Sequence, residues 1–389
     1  MRVVQSCHGK FHHFDLARQL HQRGALECIF TGYPRWKLRD EKLPADKVRT
    51  FPWLPSLYMA RGHVGLTSPA LGRQLAWCVR QSHDWFVRRN LPDCDVFVGI
   101  SGVALTSGRR AQSHGAKYIC DRGSAHIAAH DRLLREEFAK RGAPCEAVDP
   151  RDREREEAEY AAADIVTVPS SFAQRTFASE GVPIQKVRRV AYGMDLARFQ
   201  RVAQPPPDKF VVLFVGAISF NKGIPYLLEA FASLKHPRKE LVLIGVLAPE
   251  MAAFCQGKQF PRVTFVGHQP QTELPRWMSR SHVLVLPSLS DGFGLVMGQA
   301  MACGCPVIAS ENSGGPDLIE PGVTGFIIPA AQSEPLRERL QQLADDPLLQ
   351  QSLAEHALAH ARELGGWDTY GREYFEICRR LHEGHAADS

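Results

Sequence analysis

The 389-residue sequence lacks the features that mark membrane-spanning, secreted and nucleic-acid-binding proteins. Its longest apolar stretch, FVVLFVGAISF, is too short to cross a bilayer, and the opening MRVVQSCHGK has no apolar signal-peptide core. No long run of lysine or arginine occurs, and a net charge of +5 is too small to indicate nucleic-acid binding. We therefore expect a cytoplasmic protein that does not bind nucleic acid.

The sequence also lacks a recognisable metal or disulfide motif, although it contains ten cysteines. No CxxC occurs, and the close pair Cys303 and Cys305 has the wrong spacing for zinc and no second pair nearby. Several other cysteines lie inside apolar, strand-like runs such as KYICD. We predict reduced, buried thiols and no bound metal.

What the sequence does contain is a regular alternation of short β-rich runs and longer amphipathic stretches. Such alternation predicts parallel sheets covered by helices on both faces. About five predicted strands precede the prolines Pro205 to Pro207, and about six follow them. Three prolines can neither continue a helix nor donate to a sheet, so they indicate a linker. We predict an α/β protein with two Rossmann-like, doubly wound domains, residues 1–203 and 208–365, facing across a cleft. We also predict an amphipathic helix in residues 366–389 that packs back on the first domain.

Two glycine-bracketed turns follow predicted strands in the second half. In VGAISFNKGIPYLLEAF, glycines permit close approach of the backbone to a ligand. Lys222 lies beside the predicted start of a helix, and the free N–H groups and positive charge there favour binding of a phosphate group. In SDGFGLVMGQAMACG, Asp291 precedes a helix predicted to begin near Leu295, and Gln299 lies about one turn inside it. Each turn taken alone is also compatible with an ordinary strand-to-helix connection, with a surface lysine or an N-cap aspartate.

The second half resembles the retaining family 4 glycosyltransferases of the GT-B fold. The resemblance rests on VGAISFNKGIPYLLEAF, FVGHQPQTELPRWMSRSHVLVLPS, SDGFGLVMGQAMACGCPVIAS and GGPDLIEPGVTGFIIP, in matching order over about 150 residues. It implies transfer of a hexose from a UDP- or GDP-linked sugar to a glycan or lipid-linked acceptor, with retention at the anomeric carbon. It implies no cofactor and no metal. The commonest setting of the family is bacterial surface polysaccharide, lipopolysaccharide or glycolipid synthesis.

The resemblance also implies roles for individual residues. The paired acids of the family, eight positions apart, fall on Asp291, expected to hold hydroxyls of the donor sugar, and on Gln299, expected to hold the ribose. Lys222 matches the lysine that contacts the donor diphosphate. The other implied donor contacts are Gly216, the backbone of Phe293, Gly294 and Leu295, and His268 beside the base.

Three departures from the family pattern lie in this donor half. Ala217 replaces an arginine, which removes a charge-assisted contact typically worth about 1.5–3 kcal/mol. Asp291 is one methylene shorter than the usual glutamate, and Gln299 keeps a carbonyl acceptor but loses the charge. These changes leave two alternatives open: a catalytically weak sugar-nucleotide or glycan-binding protein, and a sugar-nucleotide epimerase of similar fold.

The first domain is expected to bind the acceptor. A histidine in this region of the relatives lies near the reacting carbon, and we choose His126 in ICDRGSAHIAAHDRLLREE. His130 and the pair His12 and His13 are its competitors. The DxD pattern in PDCDVFVG precedes a predicted strand, so we interpret it as a strand-entry turn and not as a metal site.

One further stretch, LGRQLAWCVRQSHDWFVRRN, mixes apolar residues with Arg73, Arg80, Arg88 and Arg89. The pattern is typical of a core helix with a solvated arginine face. It also fits a helix that rests peripherally on the anionic inner face of the plasma membrane, which would suit a lipid-linked acceptor.

Overall fold

The computed structural model describes residues 1–61, 68–145 and 148–384. The first domain is built on a seven-stranded parallel sheet with the strand order β3-β2-β1-β4-β5-β6-β7. The sequence predicted five of these strands, and it missed the three-residue edge strands because they are too short to show a pattern. The strands are β1 (Val3–Cys7), β2 (Leu26–Thr31), β3 (Val48–Thr50), β4 (Val96–Ile100), β5 (Lys117–Asp121), β6 (Ile165–Val168) and β7 (Val187–Arg189).

Helices cover both faces of this first sheet, because successive side chains of each strand point to opposite sides. Val3 and Val98 pack into the core on one face, and their neighbours Val4 and Phe97 pack into the core on the other. The helices are α1 (His13–Gln22), α2 (Trp53–Ala60), α3 (Pro69–Asn90), α4 (Leu105–Ser113), α5 (Ile127–Lys140), α6 (Pro150–Ala162) and α7 (Ser171–Ser179), with 3-10 turns at Arg35–Glu41, Ala45–Lys47 and Ile184–Lys186.

The second domain is built on a six-stranded parallel sheet with the order β10-β9-β8-β11-β12-β13. All six strands were predicted from the sequence. Its strands are β8 (Phe210–Val215), β9 (Lys239–Ile244), β10 (Val263–Gly267), β11 (Val283–Leu286), β12 (Val307–Ser310) and β13 (Gly325–Ile328). Its helices are α8 (Ile224–Ser233), α9 (Pro249–Cys255), α10 (Leu274–Ser279), α11 (Leu295–Ala302), α12 (Gly315–Leu318), α13 (Ser333–Asp345) and α14 (Pro347–Leu364).

The chain crosses between the domains twice. Pro205 to Pro207 lie in the irregular segment between β7 and β8. The last helix, α15 (Trp367–His382), returns to the first domain, where Tyr370 and Tyr374 pack in one core with Phe14 of α1. The tyrosine hydroxyl of Tyr374 lies 3.1 Å from the Oγ1 of Thr167 in β6.

The architecture is therefore α/β, with two parallel sheets and helices on both faces, as predicted. Within the described residues, none of the helices combines the length and the apolar character needed to cross a bilayer.

Candidate active site between the two domains

Asp291 lies in the turn that joins β11 to α11. Its backbone N–H donates to the carbonyl oxygen of Asn312 at 2.9 Å, and the N–H of Phe293 donates to its Oδ1 at 3.3 Å. Gly294 follows with a φ of +76°, a conformation that disfavours a side chain, and α11 then begins at Leu295. The turn therefore holds the carboxylate just ahead of a helix N-terminus.

Lys222 reaches the same point from the neighbouring strand. It lies in the turn after β8, and its ammonium group pairs with the Oδ2 of Asp291. A Cβ built at Gly223, where φ is +68°, would lie 1.9 Å from the carbonyl oxygen of Pro287. The two turns thus pack backbone to backbone, because β8 and β11 are adjacent in the sheet. The ammonium group has three N–H donors, so it can bind an anion while it stays beside Asp291.

The other predicted donor residues lie along the same edge of the second sheet. Gln299 is half-buried on α11, and its carboxamide makes no hydrogen bond to any residue in the described ranges. Gly216 and the exposed Ala217 follow β8, and the exposed His268 follows β10. Phe293 is buried in the core, so it offers its backbone and not its ring.

The structure does not place His126 in the cleft, and this corrects the choice made from the sequence. His126 is the N-cap residue of α5, and its Nδ1 accepts a hydrogen bond from the N–H of Ala128 at 3.3 Å. Its ring packs against Tyr160 and Phe177, and it is 4% exposed. Burial lowers the pKa of His126 to about 4. It is a core histidine of the first domain.

His130, one turn further along α5, is the histidine that reaches the cleft. Its Nδ1 lies 2.9 Å from the Oγ of Ser290, the neighbour of Asp291 in the second domain. Burial, with the charges of Arg122 and Lys222, lowers the pKa of His130 to about 4. The imidazole is therefore neutral at pH 7, and one of its nitrogens donates while the other accepts.

The domains are closed on each other around this site. The Oγ of Ser170, at the end of β6, donates to the carbonyl oxygen of Gly292 at 2.5 Å. The N–H of Ser171 donates to Asp317 at 2.8 Å. On the far side of α5, the hydroxyl of Tyr226 donates to the buried carboxylate of Glu137 at 2.6 Å. These contacts bring the carboxyl ends of the two sheets together.

A cavity of about 390 Å³ opens in the first domain beside this closed turn. It lies at the carboxyl ends of β1, β4 and β5, where open parallel sheets bind ligands. Most of its wall could not be recognised from the sequence, because α3 and α6 bring together residues that lie far apart in the chain. The lining residues are His8, Phe11, His12, Arg80, Ile100, Ser101, Gly102, Arg122, Gly123, Ser124, Asp152, Glu156 and Tyr192.

A cluster of His12, His13 and Asp121 supports the floor of this cavity. The Nε2 of His12 lies 2.6 Å from the Oδ2 of Asp121, and the Nε2 of His13 lies 3.2 Å from the same oxygen. The hydroxyl of Thr167 donates to the Oδ1 of Asp121 at 2.6 Å. Burial alone would raise the pKa of Asp121, but the two histidines and Thr167 bring it below its ordinary value. The distances are those of a hydrogen-bonded carboxylate that orients His12 toward Tyr192.

Comparison with solved structures identifies this architecture. Two Rossmann-like domains that close over a cleft define the GT-B fold. The sucrose-phosphate synthase of Thermosynechococcus elongatus superimposes with a TM-score of 0.73 over 99% of this chain and 100% of that chain, at 20% identity. The Anabaena protein HepE, bound to UDP and glucose, superimposes with a TM-score of 0.69 over 97% of this chain and 99% of that chain, at 18% identity.

Sequence comparison then finds a family match in the second domain. Residues 197–360 match the model of the glycosyl transferases group 1. The alpha-D-kanosaminyltransferase of Streptomyces kanamyceticus is 30% identical over 39% of this chain and 40% of its own length. The D-inositol 3-phosphate glycosyltransferase of Streptomyces avermitilis is 34% identical over 51% of this chain and 48% of its own length. The chain thus spans about half the length of these curated relatives.

Proposed function

We propose that the protein is a retaining glycosyltransferase of family 4 that moves a hexose from a UDP- or GDP-linked sugar to an acceptor hydroxyl. The observation that carries the proposal is the meeting of Lys222 and Asp291 at the mouth of the cleft, opposite His130 of the first domain. The relatives named as glycosyltransferases and the neighbour solved with UDP support the same donor class.

In this proposal, the bond between the anomeric carbon and the diphosphate breaks while a bond to the acceptor oxygen forms, and the proton of the acceptor hydroxyl passes to the leaving diphosphate. Negative charge grows on the leaving diphosphate, and the ammonium of Lys222 and the N-termini of α8 and α11 stabilise it. No metal is needed for this step. Asp291 accepts hydrogen bonds from hydroxyls of the donor sugar, Gln299 holds the ribose, and His268 borders the base. Neutral His130 takes the position beside the reacting carbon that the sequence predicted for His126.

The substitution Asp291→Ala tests the proposal directly. Transfer from a panel of UDP-, GDP- and ADP-sugars should fall below detection, while the melting temperature stays close to that of the wild type. The matched control is Asp93→Ala, which removes an exposed carboxylate from the DxD pattern of the first domain and should keep full activity. Turnover by Asp291→Ala at the wild-type rate would refute the assignment.

The same mixtures separate the two alternatives that the sequence left open. A binding protein would retain the sugar nucleotide without transfer, and an epimerase would convert the donor with no acceptor present. NMR of the donor sugar distinguishes both outcomes from transfer.

We also propose that the protein works in the cytoplasm, in surface polysaccharide, lipopolysaccharide or glycolipid synthesis, with its first domain resting on an anionic membrane. Arg88 and Arg89 of α3 and Arg109 and Arg110 of α4 are exposed, and none of them pairs with an acidic side chain of the described residues. Trp85, 56% exposed, lies beside them, and tryptophan favours the membrane interface.

This surface differs from the basic face predicted for α3, because Arg80 turns inward to pair with Asp152. Co-sedimentation with phosphatidylglycerol vesicles should fall sharply in Arg88→Ala/Arg89→Ala. It should remain in the charge-matched control Arg132→Ala/Arg135→Ala, whose arginines pair with acids. Equal binding to neutral phosphatidylcholine vesicles would contradict this part of the proposal.

A further inference from the structure

The cavity of the first domain shares a wall with the turn that carries Asp291. Gly123 and Ser124 line the cavity and also touch Gly292, whose Cβ, if built, would lie 2.7 Å from the Cα of Ser124. The ring of Tyr192 stacks on His12 with centroids 4.2 Å apart and meets the ring of Phe293 at 5.3 Å. A molecule in this cavity therefore lies next to the donor side of the cleft.

The charges in the cavity wall are balanced. Arg80 pairs with Asp152 at 2.5 Å, and Arg122 pairs with Glu156 at 2.7 Å. Burial and the neighbouring Arg80 lower the pKa of His8 to about 4, so its ring adds no charge at pH 7. Two cations thus face two carboxylates. A phosphate entering the cavity would gain little attraction from the arginines and would meet the carboxylates at close range.

The wall also offers hydroxyl groups and carboxylates to a ligand. Ser101 and Ser124 line the cavity, and the Oγ of Ser101 accepts a hydrogen bond from Arg122 at 3.3 Å, so its own proton can still be donated. A serine hydroxyl both donates and accepts, and the carboxylates of Asp152 and Glu156 accept, so the hydroxyls of a ligand find partners of both kinds. Phe11, 45% exposed, adds an apolar face at the rim.

We infer that the cavity binds the acceptor as an uncharged, polyhydroxylated ring, a glycosyl unit or a cyclic polyol without phosphate. This inference rests on the proposed function and names the acceptor class for that site. The inferred acceptor differs from the phosphorylated molecule, inositol 3-phosphate, that the name of the relatives called D-inositol 3-phosphate glycosyltransferases specifies. The paired carboxylates Asp152 and Glu156 are the residues that exclude the phosphate.

Acceptor pairs that differ only by a phosphate test this inference. Suitable pairs are myo-inositol with inositol 3-phosphate, and the methyl glycosides of glucose, mannose and galactose with their 6-phosphates. We expect kcat/KM to favour the neutral member of the productive pair by about tenfold or more. Isothermal titration calorimetry of each acceptor, with UDP present, should show the same order of affinity.

The substitution Asp152→Asn supplies the decisive variant, because it removes one carboxylate and leaves Arg80 uncompensated. It should shift the preference toward the phosphorylated member by about tenfold. The control is Asp149→Asn, which caps the start of the same helix outside the cavity and should leave the preference unchanged. The donor affinity should not change in either variant.

Three results would overturn the inference: preference for the phosphorylated member, equal effects of the two variants, or binding of neither member in the calorimeter. A failure of the proposed function has a different signature, since the protein would then neither transfer nor hydrolyse any sugar nucleotide. In that case the calorimetric comparison still decides which class of molecule the cavity binds.

Discussion

Gly292 is one of the points at which the turn carrying Asp291 touches the first domain, and it offers a test of domain closure. A Cβ built there would lie 2.0 Å from the carbonyl oxygen of Gly123. That oxygen belongs to the backbone, so no side chain can rotate out of the way. Gly292→Ala should therefore hold the loops after β5 and β11 apart by roughly 1–1.5 Å to restore van der Waals separation.

The size of the effect follows from this displacement. Gly292 does not have a positive φ, so alanine causes little backbone strain within the second domain. A misplacement of about 1 Å between reacting groups can cost about 100-fold in rate. That loss corresponds to about 2.7 kcal/mol of transition-state stabilisation. We expect kcat/KM to fall about 100-fold, while the affinity for UDP and the melting temperature stay near those of the wild type.

Steady-state transfer and calorimetric UDP binding measure the two halves of this prediction. Gly72→Ala is the matched control, because a Cβ there lies in α3 and, among the residues that the structure describes, meets only the Nε of Arg61, at 3.8 Å. Its activity should be unchanged. If Gly292→Ala transferred sugar as fast as the wild type, the closed arrangement of the domains would not be the one that reacts.

Three further predictions concern donor affinity, the domain interface and pH. Ala217→Arg should restore a cation at the exposed end of β8 and tighten UDP binding by about tenfold in calorimetry, whereas Ala217→Gln should not. Tyr226→Phe removes the hydroxyl that donates to buried Glu137 and should cost about 1–3 kcal/mol, seen as a melting temperature lower by several degrees. Burial lowers the pKa of His130 and His282 to about 4, so between pH 6.5 and 4 only the unfolded chain takes up these protons. The free energy of unfolding should therefore fall as the pH drops through this window, and a flat profile would contradict the burial.

The grouping of the proposed donor residues at one edge of the second sheet could be anticipated, because these residues are local in the sequence. The predicted positions lie in the turns that follow strands or in the first turns of the next helices, and parallel strands place those turns along one edge of the sheet. Gly223 and Gly294 have positive φ just before α8 and α11, a backbone conformation that residues with a side chain rarely adopt. The local fold therefore explains why these positions of the two motifs are glycines. The pairing of Lys222 with Asp291 was not anticipated, since neither motif indicates that β8 and β11 are neighbours in the sheet.

The cavity that we propose for the acceptor could not be anticipated, because the residues of its wall lie far apart in the sequence. The ion pair of Arg80 and Asp152 joins residues 72 positions apart, and it exists only because α3 packs near the start of α6. His126 and His130 look equivalent in the sequence, four positions apart on one helix. His126 is buried because it packs against Tyr160, whereas His130 contacts Ser290 because the two domains are closed on each other. The same closure joins the cavity to the donor turn, so substitutions in the paired charges should change which acceptor reacts without changing which donor binds.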